Sequence, residues 1–481
     1  MELKRNLTLL TDFYELTMMN GYLRYNLAEK IAVFDLFFRD NEESDFCVAA
    51  GLHQAVEYIK DLHFDQEDLE FLRQKGGFDE VFLKRLSEFK FTGEIYAMEE
   101  GTIVYPFEPL LIVKAPIFEA QLMESALLCI LNFQTLIATK ANRIVRVAAP
   151  AAVVEFGLRR AQAPDASIYG ARAAVIGGCD STSNVLSCQM FDFVPKGTHA
   201  HSWIMAFPTE IEAFRAYADL FPDGCLLLVD TYDTLNSGIP NAIKVFDELK
   251  QKGHKPLGIR LDSGDLAYLS KKARIMLDEA GYTDAKIFAS GDLDEYTIES
   301  LKIQGSRIDI YGVGTYLITS HNNPSLGGVY KLAAIEENGK LIPKMKVSDN
   351  PFKITNPGFK KVMRLYSKKD NKALADVICL FDEEINEDAP IKLTHPTDRW
   401  KSKVITDFYA KNLLKPIFIN GKCVCDLPSV SVIAEKTKLN QSEFWEEYTR
   451  VTKPQTYKVD LSDKLYNLKH TMLENNLISN D

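Results

Sequence analysis

Four apolar strings decide the fold: LLLVD (226–230), LGIRLD (257–262), KIFASGD (286–292) and IDIYGVG (308–314). Each is short, unbroken and closed by a polar residue or a glycine, as a strand covered on both faces requires. The stretches between them, NAIKVFDELKQKG, LAYLSKKARIMLDEAG and EYTIESLKIQG, have helical spacing of their apolar residues. The strings begin at 226, 257, 286 and 308, intervals of 31, 29 and 22 residues. Each interval leaves room for one helix, so the region reads as parallel βα units. AAVVEFGLR (151–159), AAVIGGCD (173–180) and FVPKGTHAHSW (193–203) read as further strand-to-loop units of the same body.

The strand ends carry the chemistry-bearing residues: Asp230, Arg260 with Asp262, Ser290 with Gly291 and Asp292, and Gly312 with Gly314. In a (β/α) barrel the reacting groups sit at the carboxyl ends of the strands. A doubly wound sheet makes the same prediction, so the location of the chemistry is fixed before the architecture. Residues 1–145 mix strands (AVFDLFFR, GEIYAM, LLIVKAP) with a long helical pattern, EAQLMESALLCILNFQTLIATKANRIV, and 327–405 return to strands. The expected class is α/β. Residues 146–326 read as one βα body, 1–145 and 327–405 as mixed and strand-rich text, and 406–481 as a mostly helical extension.

The composition, 46% hydrophobic and 26% charged over 481 residues, is that of a globular chain with a large core. No apolar run approaches the roughly 18 residues of a membrane span, and the N-terminus has no signal-peptide pattern. Eight scattered cysteines suit a reducing, cytoplasmic setting. The CxC at Cys423 and Cys425 lacks the second half that a zinc site needs. A net charge of −11 argues against general affinity for nucleic acid or anionic membrane. Anionic ligands would therefore need cations gathered locally.

The motifs supply them. EFGLRRAQAPD (155–165) and GARAAVIGGCDSTSNV (170–185) bring Arg159, Arg160 and Arg172, whose guanidinium forks match carboxylate and phosphate. The competing reading is three solvated surface arginines. KGTHAHSWIMAF (196–207) sets His199 and His201 two residues apart, on one face if the segment is a strand. A metal pair, ordinary loop residues, or one histidine as nucleophile or base all fit that spacing. In TDFYELTMMNGY (11–22), Asp12 and Glu15 fit a helix cap with its capping-box acid, placing Phe13 and Tyr14 in the first turn. An aromatic there ordinarily packs.

Taken in order, LTDFYELTMMNGY, FGLRRAQ, IGGCDSTSNV, KGTHAHS, LVDTYDTLNSGIPNAI, IRLDSGDL and GVGT resemble the nicotinate phosphoribosyltransferases. LLCILNFQTLIATKANR and KITNPGFKKVMR extend the likeness, which runs from about residue 8 to about residue 365. The resemblance implies an irregular (β/α) barrel over 146–326 joined to a discontinuous α/β sandwich of 1–145 with 327–405, and a homodimer with shared sites. It implies the conversion of nicotinate and phosphoribosyl pyrophosphate, with magnesium, into nicotinate mononucleotide and pyrophosphate. It also implies coupling to ATP hydrolysis through a phosphorylated histidine. That histidine matches His201, followed by Ser202 in the string AHS. Tyr14 matches the tyrosine that reaches across the dimer to stack on the pyridine ring, with Phe156 on the opposite face. Arg159 and Arg260 match the arginines around carboxylate and phosphoribosyl groups, and Asp262 the strand-end carboxylate. Gly312, Gly314 and Thr315 match a loop that takes the 5′-phosphate.

These residue types suit displacement at an anomeric carbon. Such a centre passes through an oxocarbenium-like state, so the site must stabilise a developing positive ribose, hold the departing anion and align the nucleophile. Asp262 serves the first need, magnesium with Arg159 and Arg160 the second, and an aromatic sandwich with an arginine on the carboxylate the third. Glycines at 312 and 314 let backbone amides approach a phosphate, and a helix start adds a favourable field. Ser183 stands where nicotinamide-using relatives place an Asp that would repel a carboxylate, so the resemblance is to the acid-using branch. The rivals are a nicotinamide-specific or quinolinate-specific enzyme, a catalytically silent homologue that binds NAD precursors, and a generic sugar-phosphate barrel enzyme.

Overall fold

The computed structural model describes residues 5–39, 46–398 and 400–478. The chain divides into two compact units, Ile137–Pro324 and Glu2–Leu136 with Ser325–Asp481. Among the described residues no helix is long and apolar enough to cross a membrane.

The first unit contains six strands, β1 (Ala152–Glu155), β2 (Ser181–Thr182), β3 (Leu226–Leu228), β4 (Gly258–Leu261), β5 (Lys286–Ser290) and β6 (Ile310–Val313). Their order across the sheet is β2-β1-β6-β5-β4-β3, and every ladder is parallel. The first strand, β1, pairs with the last, β6, and there is an interruption between the outer strands β2 and β3, where no ladder joins the two among the described residues. Helices Ile239–Gln251, Leu266–Glu279 and Glu295–Ile303 connect β3 to β6. Asp265 and Asp294 cap the second and third of these by accepting from the Tyr268 and Thr297 amides. Leu227, Ile259, Leu261 and Ile287 from the strands and Ala242, Phe246, Ala273 and Leu277 from the helices share one buried core.

Residues 194–199 occupy the interruption without becoming a strand. The Lys196 amide donates to the Thr182 carbonyl (3.1 Å) on one side. On the other, the Leu228 amide donates to Nε2 of His199 (3.3 Å). An imidazole thus takes the place of a ladder carbonyl. Two readings of the sequence change here. AAVIGGCD does not open on a strand, because 173–176 end helix Pro164–Ile176. Ala173 and Ala174 are strong helix formers and lie buried on that helix. FVPKGTHAHSW is not a strand either, so His199 and His201 do not share a strand face. His201 opens helix His201–Met205, and no group of three or more metal-ligating side chains occurs among the described residues.

The second unit holds two large sheets. One is antiparallel throughout, in the order Lys340–Pro343, Gly328–Glu337, Ile31–Phe38, Leu111–Pro116, Glu94–Met98, Leu414–Ile419, Lys422–Cys423. The other runs Ser402–Ile405, Ile391–Thr394, Val459–Leu461, Ala373–Leu380, Lys360–Ser367, Phe408–Asn412. A buried ion pair, Lys360 Nζ to Asp35 Oδ2 at 2.8 Å, ties one sheet to the other. Within 406–481, helices Val430–Ser442 and Asp463–Ile478 follow two strands, Phe408–Asn412 and Leu414–Ile419, that belong to these sheets. Helix Phe13–Arg24 starts after Asp12, but the capping box is not formed. Ser125 sits between both acids instead, its Oγ 2.7 Å from Asp12 Oδ2 and 2.5 Å from Glu15 Oε1.

Candidate functional site

At the carboxyl ends of β4, β5 and β3 the polar side chains form one hydrogen-bonded group. Arg260 donates from Nε to Ser290 Oγ (2.9 Å), from Nη1 to Thr198 Oγ1 (3.2 Å) and from Nη2 to Asp262 Oδ1 (2.6 Å). Ser290 also donates to that same carboxylate oxygen. Asp230 Oδ2 accepts from the Asp262 amide (2.8 Å) and from Ser263 Oγ (2.7 Å), while its Oδ1 is buried without a hydrogen-bond partner. Burial alone would raise the Asp262 carboxyl. The Ser290 hydrogen bond and the Arg260 and His201 charges outweigh it and hold the group below the usual carboxylate range. It is an anion at neutral pH.

His201 faces this carboxylate, with Nε2 3.8 Å from Asp262 Oδ2. Its other nitrogen, Nδ1, lies 3.1 Å from Thr231 Oγ1. The ring thus meets a hydroxyl at one nitrogen and lies near a carboxylate at the other, and it stays partly exposed at the start of its helix. Ser202, next to it, is exposed. His199 plays a different part. Burial, reinforced by the Arg260 and His201 charges, pushes its pKa down to about 4. It is a neutral acceptor for the Leu228 amide, and it braces the segment that carries Thr198 and His201.

Phe156, beyond β1, stacks on Phe288 of β5 (centroids 5.5 Å apart, planes at 17°), with the Arg260 guanidinium 5.6 Å from its centroid. Gly312 is what makes room for this stack: a Cβ there would lie 2.7 Å from Phe288 and 2.8 Å from Phe156. Gly314, whose Cβ would lie 3.2 Å from the Phe156 carbonyl oxygen, precedes the short helix opened by Thr315. Gly291 has φ +103° and a Cβ position 2.5 Å from the Asp262 carbonyl oxygen, so only glycine fits. Ser183 lies just past β2, where its amide donates to the Glu155 carbonyl (3.0 Å).

The arginines separate. Arg159 and Arg160 occupy the turn after Gly157 and are exposed. Arg172 is 1% exposed, its guanidinium 5.8 Å from the centroid of the Phe191 ring, and it is not presented to solvent with the other two. Tyr14 lies in the second unit, 46% exposed on helix Phe13–Arg24. Sequence reasoning missed Thr198, Thr231 and Glu155. The first two flank residues it had singled out, and a side-chain hydroxyl beside a strand-end acid or histidine is the signal that could have found them. Glu155, fully buried at the end of β1 and raised by burial, accepts from Thr182 Oγ1 (2.5 Å) and from the Gly157 amide.

Models of one family cover nearly the whole chain: its N-terminal domain at residues 9–132, the "Nicotinate phosphoribosyltransferase (NAPRTase) family" at 151–376, and its C-terminal domain at 359–469. The nicotinate phosphoribosyltransferase of Bacillus subtilis is 49% identical over 465 residues, 96% of this chain and 94% of that protein. The chain belongs to the nicotinate phosphoribosyltransferase family. The family's Dictyostelium discoideum member is 36% identical over 521 residues, covering 96% of this chain and 88% of its own. The crystal structure of the human nicotinic acid phosphoribosyltransferase superposes with a TM-score of 0.85 at 29% identity, spanning 96% of this chain and 99% of that one. Membership accounts for a shared α/β fold, and Arg260, Asp262 and His201 stand within the segment matched by the family model.

Proposed function

We propose that the chain joins nicotinate to phosphoribosyl pyrophosphate, giving nicotinate mononucleotide and pyrophosphate, the entry of nicotinate into NAD salvage. The observation that carries the proposal is the single group in which Arg260, Asp262, Ser290, Asp230 and His201 meet at the strand ends. The pyridine nitrogen attacks the anomeric carbon as the bond to pyrophosphate breaks, and positive charge develops on the ribose. Asp262, held ionised, opposes that charge. Arg159 and Arg160 meet the anionic groups, and Phe156 gives the flat ring a surface.

Magnesium arriving with the pyrophosphate fits this donor set. Asp230 and Asp262 offer two carboxylates, Asp230 Oδ1 lacks a partner, and phosphate oxygens and water complete a magnesium shell of this kind. Asp230 and Asp262 would hold the ion, which would supply positive charge to the leaving pyrophosphate. Arg260 keeps the Asp262 carboxylate aimed at the ribose.

ATP enters the proposal through His201: a ring nitrogen attacks the γ-phosphorus as the bond to the ADP oxygen breaks, ADP leaves, and the phosphoimidazole holds a dianion beside the pyrophosphate site until water hydrolyses it to inorganic phosphate. Thr231 Oγ1 lies 3.1 Å from the ring's Nδ1 and orients it. The working unit in the proposal is a homodimer in the cytoplasm. Phe13, Tyr14 and Met18 are exposed on one short helix, a surface suited to a second copy, and all eight cysteines are free thiols. Ser183, uncharged, leaves room for a carboxylate and so favours nicotinate over nicotinamide. The test is product formation by the wild type and by His201→Asn, each with and without ATP. The expected result is slow, ATP-independent turnover by the variant. Full ATP stimulation of His201→Asn excludes the histidine.

A further inference from the structure

A cavity of about 540 Å³ lies wholly within the second unit, built from Tyr105–Phe107, strand Ala373–Leu380, the 395–403 region, Tyr448–Val459 and Lys469. Its volume is that of a small-molecule site. Its walls combine aromatic rings with an excess of ammonium groups, although the chain as a whole is acidic. Tyr105 and Tyr457 stack at 4.2 Å, Tyr448 meets Tyr457 edge-on at 5.3 Å, and Phe107 stands beside them in the lining. Lys401 is paired with Asp398 (2.7 Å) and Lys458 with Asp460 (2.8 Å).

The other two lysines have no such balance. Lys403 has no carboxylate partner among the described residues and is exposed at the rim. Lys469 is 4% exposed, and its Nζ donates to the amide oxygen of Asn356 (3.0 Å), a neutral acceptor. Burial and the neighbouring Lys360 charge lower Lys469 to about 8, so at neutral pH it remains largely an ammonium. A buried cation without an anion is costly, and an anionic ligand removes that cost. His395 adds a donor. Its Nδ1 accepts from the Thr397 and Asp398 amides (3.3 and 3.1 Å), so in the neutral ring the proton sits on Nε2. Phe107 has φ +68°, a left-handed conformation that a bulky side chain avoids and that gathers at ligand sites.

We propose that this cavity is a nucleotide site, the base lying against the tyrosine and phenylalanine rings and the phosphate against Lys403 and Lys469. A base without phosphate would leave the two ammonium groups unbalanced, and a bare phosphate would leave the aromatic wall unused. The barrel residues that carry the phosphoribosyl reading all lie in the first unit, so the two sites can be read separately.

The test is photolabelling of the full chain with 8-azido-AMP, followed by mass mapping of the labelled peptides. Label is expected on peptides carrying Tyr105–Phe107 or Tyr448–Tyr457, suppressed by AMP and not by adenosine or inorganic phosphate at the same concentration. Equilibrium dialysis of AMP, with the barrel site saturated by nicotinate mononucleotide, is expected to show binding weakened about tenfold or more in Lys403→Glu. That exposed position leaves the core intact, and turnover by the variant stays at the wild-type rate. Label confined to residues 151–318 or absent overturns the proposal, as does equal suppression by phosphate or adenosine alone. So does an AMP affinity that neither Lys403→Glu nor Lys469→Met alters. Labelling and dialysis do not require turnover of nicotinate, so failure here and failure of the barrel assignment are distinguishable.

Discussion

Replacing His199 by Leu keeps much of the volume of the seam but removes the acceptor of the Leu228 amide. The N–H then lies buried without a partner, a cost of about 1–3 kcal/mol at pH 7.5. Protonation adds a second, opposite signature. The wild-type imidazole is lowered from 6.5 to about 4 in the folded chain. The stability this neutral histidine preserves is fully present above pH 6.5 and is lost as pH falls toward 4. At 1.36 kcal/mol per unit, the linkage amounts to about 2 kcal/mol by pH 5 and about 3 kcal/mol at its limit. The variant has no such group. Its stability gap to the wild type should therefore narrow by about 2 kcal/mol between pH 7.5 and pH 5. Urea unfolding can follow this in a Trp400→Phe, Trp445→Phe background. Trp203, 6.2 Å from the Tyr217 ring that also meets His199, is then the sole tryptophan reporter of the first unit. A gap that stays constant or widens on acidification refutes the reasoning, because it would mean that His199 is not buried as a neutral acceptor.

Arg260→Lys keeps the charge but not the three-way fork to Ser290, Thr198 and Asp262, and kcat/KM should fall about 10²-fold or more in steady-state assays, with an unchanged circular dichroism spectrum. Gly291→Ala forces a Cβ onto the Asp262 carbonyl at a positive φ, and a calorimetric Tm lowered on the order of 5 °C is expected. On the proposed assignment of Ser183, Ser183→Asp would set a second negative charge against the nicotinate carboxylate. The nicotinate-to-nicotinamide ratio of kcat/KM should drop about tenfold or more, and an unchanged ratio would remove Ser183 from substrate choice.

The parallel strands were legible because each is buried on both faces and so reads as an unbroken apolar run. LLL at 226, GIRL at 258, KIFAS at 286 and IYGV at 310 are the observed strands. The reading failed where that logic has no purchase. AAVIGG is apolar whether it forms a strand or a helix, and its alanines decided for helix. KGTHAHS holds its place through one imidazole and one amide, with no periodicity to betray it. The strands at 408–419 are two short runs, FYAKN and LKPIFI, separated by a single residue, and they find their partners far back in sequence, at Met363–Ser367 and Ile95–Met98. For the site, the types Arg, Asp, Ser and His at strand ends were readable. Their hydrogen bonds were not, since Thr198 meets Arg260 across 62 residues and Ser290 meets Asp262 across 28.

The most direct measurement compares initial rates of pyrophosphate release from phosphoribosyl pyrophosphate and magnesium with nicotinate, nicotinamide or quinolinate as the acceptor, each with and without ATP. Release with nicotinate is expected at a kcat/KM at least about 10²-fold above the other two, with stimulation by ATP. Release that favours nicotinamide or quinolinate, or no release with any of the three, would contradict the assignment of nicotinate as the acceptor.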